Sequence, residues 1–132
     1  SIQVTMQIEY DNTKPIYLQI MRLLNYKIVR GEYKPGDKLP SWVDAGLMFN
    51  VNHNTIARTY LAMSMEGIVN TRRGEGTFVT EDQSILDELH ERMKQELLQD
   101  FVSEMNRLGY SLSEISKTLD EYIDGMTESI QK

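Results

Sequence analysis

The 132-residue chain contains no cysteine. Disulfides, a thiolate metal site and a cysteine nucleophile are therefore excluded, and the composition fits a cytoplasmic protein. Histidine is nearly absent too: His53 and His90 lie far apart in sequence and belong to no recognisable motif. No apolar run approaches the ~18 residues of a membrane span, and no leader segment is visible, so a membrane partner is not expected. Gly74-Glu75-Gly76 is not followed by Lys-Ser/Thr and does not open a helix, so it is no nucleotide loop. The carboxylates fall mostly on amphipathic stretches, where solvation accounts for them. These absences leave no basis for catalysis, a metal site or a cofactor.

Positive charge is also scarce, with 14 Lys+Arg against 20 Asp+Glu and a net charge of −6. It is unevenly placed. Residues 1–80 hold 9 basic and 7 acidic side chains, or +2, whereas residues 81–132 hold 5 and 13, or −8. The first part is thus a mildly basic head and the second an acidic tail. A head of only +2 implies modest non-specific affinity for a polyanion, because phosphate neutralisation supplies most of that term.

Within the head, the stretch from Leu39 to Val79 organises the chain. Ser41 follows Pro40 and stands three residues before Asp44, which suits an N-cap. The helix it opens must be short, since Phe49-Asn50-Val51-Asn52 has turn chemistry. Asn52 is a second N-cap, opening a helix that Gly67 ends. Two short helices joined by a turn of three or four residues form a helix-turn-helix, whose second member can enter a major groove. That second helix carries His53, Asn54, Thr55 and Arg58 near its start, where base edges and phosphates would be met. Two β-prone runs follow, Ile68–Thr71 and Thr77–Thr80, joined through Gly74-x-Gly76. With Arg72 and Arg73 at its shoulder, this hairpin is a basic wing able to reach phosphates or the minor groove. Glu75 at the tip should point away from phosphate. Ile56, Tyr60 and Met63 share an inward face, although Tyr60 could still touch a phosphate.

Elsewhere the patterning is simpler. Ile2, Val4, Met6 and Ile8 alternate with polar residues and suit a short extended segment. Pro15 begins a helix whose apolar face is Ile16, Tyr17, Ile20, Leu23, Leu24, Ile28 and Val29, ending at Gly31. Its other face, with Arg22, Lys27 and Arg30, is read as solvated. A long helix from Asp82 to Leu108, with Thr80 and Gln83 as a capping box, repeats Leu86, Leu89, Met93, Leu97, Phe101, Met105 and Leu108. Gly109 ends it, and Ser111 with Glu114 caps another helix bearing Leu112, Ile115, Leu119, Tyr122, Ile123 and Met126, beyond which fraying is expected. A stripe this long beside so small a head needs a partner, and a second copy of the chain is the economical one.

These motifs carry a resemblance. Pro15-Ile16-Tyr17-x-Gln19-Ile20, Gly31-x-Tyr33-Lys34-Pro35-Gly36-Asp37-Lys38-Leu39-Pro40-Ser41 and the stretch above resemble the head of GntR-family bacterial transcription regulators over residues 14–80. The short helical tail resembles the YtrA subfamily, which lacks the large effector domains of other members. The resemblance implies a short strand about Lys38-Leu39 pairing with the wing, and DNA contact by Ser41, His53, Asn54, Thr55, Arg58, Arg72, Arg73, Gly74 and Gly76. One departure stands out: relatives commonly carry Ser-x-Arg-x-Leu-Ala where this chain has Ser41-Trp42-Val43-Asp44-Ala45-Gly46. Val43 replaces an arginine that contacts DNA, Trp42 is expected in the core, and Gly46 costs about 1 kcal/mol of helix propensity.

The expected fold is α+β and mostly helical, with a winged helix-turn-helix head over residues 1–80. A two-helix dimerisation tail over residues 81–132 would pair copies through Leu86, Leu89, Met93, Leu97, Phe101, Met105, Leu108, Leu112, Ile115 and Leu119. The expected function is a homodimeric transcription regulator, a repressor, on a pseudo-palindromic double-stranded operator. The tail leaves room for a small-molecule effector. Two alternatives stay open at this level: a winged-helix module that binds protein, and an architectural DNA binder of low specificity.

Overall fold

A computed structural model of the chain describes residues 8–131. The extended segment expected over residues 2–8 lies, apart from Ile8, outside them. The element order is α1 (Ile16–Val29), α2 (Trp42–Phe49), α3 (His53–Met65), β1 (Val69–Arg72), β2 (Gly76–Val79), α4 (Gln83–Arg107) and α5 (Leu112–Gln131). The chain divides into two compact units between His90 and Glu91, within α4.

In the first unit α3 packs on both α1 and α2. Ile20, Leu24 and Ile28 of α1, Ala45 and Phe49 of α2, and Ile56, Tyr60 and Met63 of α3 are all buried. The buried stripe of α1 also takes in Met21 and Asn25, leaving Ile16, Tyr17, Leu23 and Val29 half-buried. Thr59 contributes a polar but satisfied contact, its hydroxyl donating to the carbonyl of Thr55 at 2.8 Å and lying 3.4 Å from that of Tyr17. The Tyr60 hydroxyl donates inward to the carbonyl of Pro40 at 2.8 Å. Burial raises the pKa of that phenol and keeps it a donor. Tyr60 is thereby committed to the core and is not presented to phosphate.

The turn between α2 and α3 has an identifiable physical basis. The Ser41 hydroxyl accepts the Asp44 amide at 3.1 Å, and the Asn52 side chain accepts the Asn54 amide at 2.8 Å. Between them Asn50 takes a left-handed conformation, φ 55°, which asparagine tolerates better than most residues. Gly46 answers a packing demand: a Cβ there would meet the Val51 carbonyl oxygen at 2.9 Å. The helix-propensity cost expected of this glycine is therefore the lesser term. The Tyr10 hydroxyl donates to the last carbonyl of α2, at Phe49, at 2.6 Å.

The hairpin pairs Val69 with Val79, Asn70 with Phe78, Thr71 with Thr77 and Arg72 with Gly76. One face is inward, with Val69, Thr77 and Val79 buried; the other carries Asn70, Arg72 and Phe78. The strand expected near Lys38 is present as an antiparallel bridge to Phe78, with the Leu39 amide donating to the Thr77 carbonyl at 2.8 Å and that of Val79 to Asp37 at 2.8 Å. The wing is thus hydrogen-bonded to the segment that leads into α2.

The cap of α4 differs from expectation. Asp82 is the capping residue, its carboxylate accepting the Ser84 amide at 3.0 Å and the Ser84 hydroxyl at 2.6 Å. Thr80 instead accepts the Asp82 amide, and Gln83 bonds Asp87. Asp82 immediately precedes the helix, and a carboxylate is the stronger acceptor. At α5 the reciprocal box is present, Glu114 accepting the Ser111 amide at 3.1 Å and the Ser111 hydroxyl accepting that of Glu114 at 3.3 Å. Those bonds hold the Glu114 carboxyl below its ordinary pKa, so the cap weakens as pH falls through the carboxylate range. The helix extends beyond Met126, to Gln131.

Gly46→Ala is expected to destabilise the protein by about 1–3 kcal/mol despite its better helix propensity, because the added methyl overpacks the turn. Urea unfolding measures it; a stabilised variant would contradict the packing demand at this turn.

Candidate nucleic-acid interface

The first residues of α3 stand at the surface. His53, Asn54 and Arg58 are exposed and Thr55 is half-buried. Asn54, Thr55 and Arg58 share an open depression of about 330 Å3 with Pro15, Ile16 and Tyr17 of the α1 start. Arg58 lies over the Tyr17 ring, its guanidinium carbon 4.1 Å from the centroid. His53 lines a second, larger depression with Val43 and Leu47 of α2. Ser41 is exposed, with its hydroxyl engaged in capping.

Trp42 does not enter the core: it is 50% exposed, beside Val43 at 60% and Leu47 at 75%. Helical spacing puts Trp42 on the face of Ala45, Gly46 and Phe49, but it opens the helix, and burial in α2 is confined to those three later positions. The surface of α2 near the start of α3 is consequently apolar and brings no cation.

At the wing, Arg72 and Arg73 are both exposed. Arg72 stacks over Phe78 at 4.3 Å, a diagonal cross-strand neighbour on the outer face. Arg73, Gly74 and Glu75 form the tip, closed by the Glu75 amide donating to the Arg72 carbonyl at 2.9 Å. Gly74 supplies the positive φ, 79°, that the third position of this turn requires. Gly76 has another role. A Cβ there would lie 2.7 Å from Cε of Lys38, so the lysine stem runs across the glycine and carries its ammonium to the wing. Reasoning from the sequence missed Lys38 as a wing cation, as it missed Tyr17. The available signals were the strand expected at Lys38 and the aromatic at the start of α1.

The cations of the head that have a charged or aromatic partner among the described residues fall into two classes. Lys14, Lys27 and Arg30 are paired with carboxylates, the last two both with Glu32. Arg22, Arg58 and Arg72 rest on aromatic faces, those of Tyr26, Tyr17 and Phe78, and make no ion pair among the described residues. A ring holds a guanidinium without neutralising it, so these charges are left for an external anion, and Arg58 and Arg72 are the two that stand on α3 and the wing.

A half-exposed helix start at the turn of a helix-turn-helix, followed by a basic hairpin, defines a winged-helix DNA-binding protein. Residues 16–79 match the family described as bacterial regulatory proteins, gntR family. The chain is 43% identical over 120 residues to the HTH-type transcriptional regulator YhcF of Bacillus subtilis, covering 91% of this chain and 99% of that protein. It is 32% identical to the HTH-type transcriptional repressor YtrA of the same organism, covering 88% and 90% respectively. Among solved structures, a GntR family transcriptional regulator from Listeria monocytogenes superposes with a TM-score of 0.80 at 35% identity, over 85% of this chain and 98% of that one. The chain belongs to the GntR family of transcription regulators and is a YtrA-like member of it.

Replacing Arg72 and Arg73 together by alanine is expected to weaken binding to all duplex sequences alike. The log–log salt slope should fall by roughly 1–2, at about 0.9 for each phosphate no longer neutralised. Titration at several salt concentrations checks this. Weakening confined to one preferred sequence would instead show that the wing reads bases.

Proposed function

We propose that the chain is a cytoplasmic repressor that binds a pseudo-palindromic operator as a homodimer. The observation that carries the reading is the pair of exposed, carboxylate-free arginines on α3 and the wing, with Asn54 and Thr55 beside the first. Asn54, Thr55 and Arg58 read base edges, while Ser41, His53, Arg72, Arg73 and the backbone at Gly74 and Gly76 meet phosphate and sugar. The repressor assignment is supported by the name of the relative YtrA.

Residues 1–80 serve as the DNA-reading part and residues 81–132 as the dimerisation and effector-sensing part. The apolar stripe expected to pair copies divides in two. Leu86, Leu89, Met93 and Ile115 are buried within the single chain, and Leu86 lines a small cavity with Ile28 and Val29. Leu97, Phe101, Leu108, Leu112 and Leu119 remain exposed, Met105 is half-buried, and Tyr122, Ile123 and Met126 extend the exposed set. So much exposed apolar surface on two helices is the usual mark of an interface, and it supports pairing through this second group. Among the described residues no helix is long and apolar enough to cross a membrane.

Because α2 presents Val43 rather than a cation, base readout concentrates on α3. Arg58→Ala is expected to cost more operator affinity than any other single substitution in the head, tenfold or more, since one bidentate arginine contact gives about 1–3 kcal/mol of discrimination. Val43→Arg should raise affinity with a steeper salt dependence. Both are measured by titration against the chain's own promoter and scrambled DNA at two salt concentrations. Arg58→Ala binding like wild type, while a folded Trp42→Ala loses binding, would place readout on α2. Sedimentation at micromolar concentration should show a dimer; a monomer would contradict the pairing.

A further inference from the structure

Tyr17 has no assigned part in this surface, yet its placement is specific. It stands in the first turn of α1, half-buried, with its ring under the Arg58 guanidinium at 4.1 Å. Contacts on both helices frame the ring and the arginine. On α1, the Gln19 side chain accepts the Asp11 amide at 2.9 Å and donates to the Asp11 carbonyl at 2.8 Å, clasping the chain that enters the helix. On α3, the buried Thr59 hydroxyl lies 3.4 Å from the carbonyl of Tyr17 itself. The residue next to Arg58 thus packs against the backbone of the residue that supplies the ring.

An exposed arginine ordinarily samples many rotamers, and ordering it on binding costs affinity. A carboxylate could order it, but would compete with the base or phosphate it must meet. An aromatic face orders the guanidinium while leaving its edge, where the N–H donors lie, open. Arg58 and Tyr17 line the same open depression as Asn54 and Thr55, the other polar groups at the start of α3.

We propose that Tyr17 is a positioning residue for DNA readout, its ring holding the Arg58 guanidinium ordered and unneutralised beside Asn54 and Thr55. The inference rests on the assignment of Arg58 to the DNA. It predicts that Tyr17→Leu lowers affinity about three- to tenfold, through the missing cation–π attraction and renewed side-chain freedom. Tyr17→Phe, which keeps the ring, should recover most of that affinity.

The test is a double-mutant cycle of Tyr17→Leu and Arg58→Ala, using the duplex that the wild-type chain selects from a random pool. Coupling is expected: in the Arg58→Ala background, Tyr17→Leu should change affinity less than about twofold. An equal loss in both backgrounds would show that Tyr17 acts only through the fold and would overturn the proposal. If the wild type selects no sequence, or Arg58→Ala alone has no effect, the DNA reading of Arg58 fails instead, which is a separate result. A measurement on the unmutated protein guards against misfolding of the leucine variant. The Arg58 δ-protons should show an upfield ring-current shift in NMR spectra of the free chain, and ordinary solvent-exposed arginine shifts would also overturn the proposal.

Discussion

The structure depends on the seating of α3 against both α1 and α2. Ile56, Thr59, Tyr60 and Met63 supply the buried side of that helix, and its opposite side is left for Asn54, Thr55 and Arg58. Because buried and exposed residues alternate with helical period, the core that fixes the helix also fixes where its polar groups point. The wing is held to the same frame by the Leu39 and Val79 amides, which tie both hairpin and linker to the entry of α2. A slip of one residue in that register would turn Arg72 inward and Val79 outward.

Charge is handled with similar economy. The head is only weakly basic overall, yet several of its cations are sorted by partner: glutamate and aspartate on some, aromatic rings on Arg22, Arg58 and Arg72. This sorting matters more than the net value, because a neutralised lysine contributes little to counterion release. A DNA-binding protein can therefore carry −6 overall when its acids lie mainly in another part of the chain.

Much of this is legible in the residue order, and the reasons are local. Caps at Ser41, Asn52 and Ser111 act over two or three residues, and the glycines at 31, 67, 74 and 109 mark positive φ, so short-range chemistry locates these boundaries. The GntR motifs locate the head and its polar helix start. What is not legible is what depends on distant neighbours. Trp42 reads as a core residue, but an eight-residue helix buries only its 45, 46 and 49 positions. Gly46 reads as a cost because the Val51 carbonyl that requires it is placed by the following turn. Leu86 and Leu89 read as interface, yet the single chain buries them by itself. Tyr17 and Lys38 act across the fold, on Arg58 and at Gly76, and no pattern within their own segments announces it.

The central claim is that one surface, the start of α3 with the wing, meets DNA. Amide and side-chain NMR shifts of the isotope-labelled chain, titrated with a duplex from its own promoter, test it most directly. Perturbations are predicted to concentrate at His53, Asn54, Thr55 and Arg58 and at Lys38, Arg73 and Gly74, with the solvated face of α1 at Lys27 and Arg30 unmoved. Perturbations centred on Lys27, Arg30 or α5, with α3 and the wing silent, would contradict it.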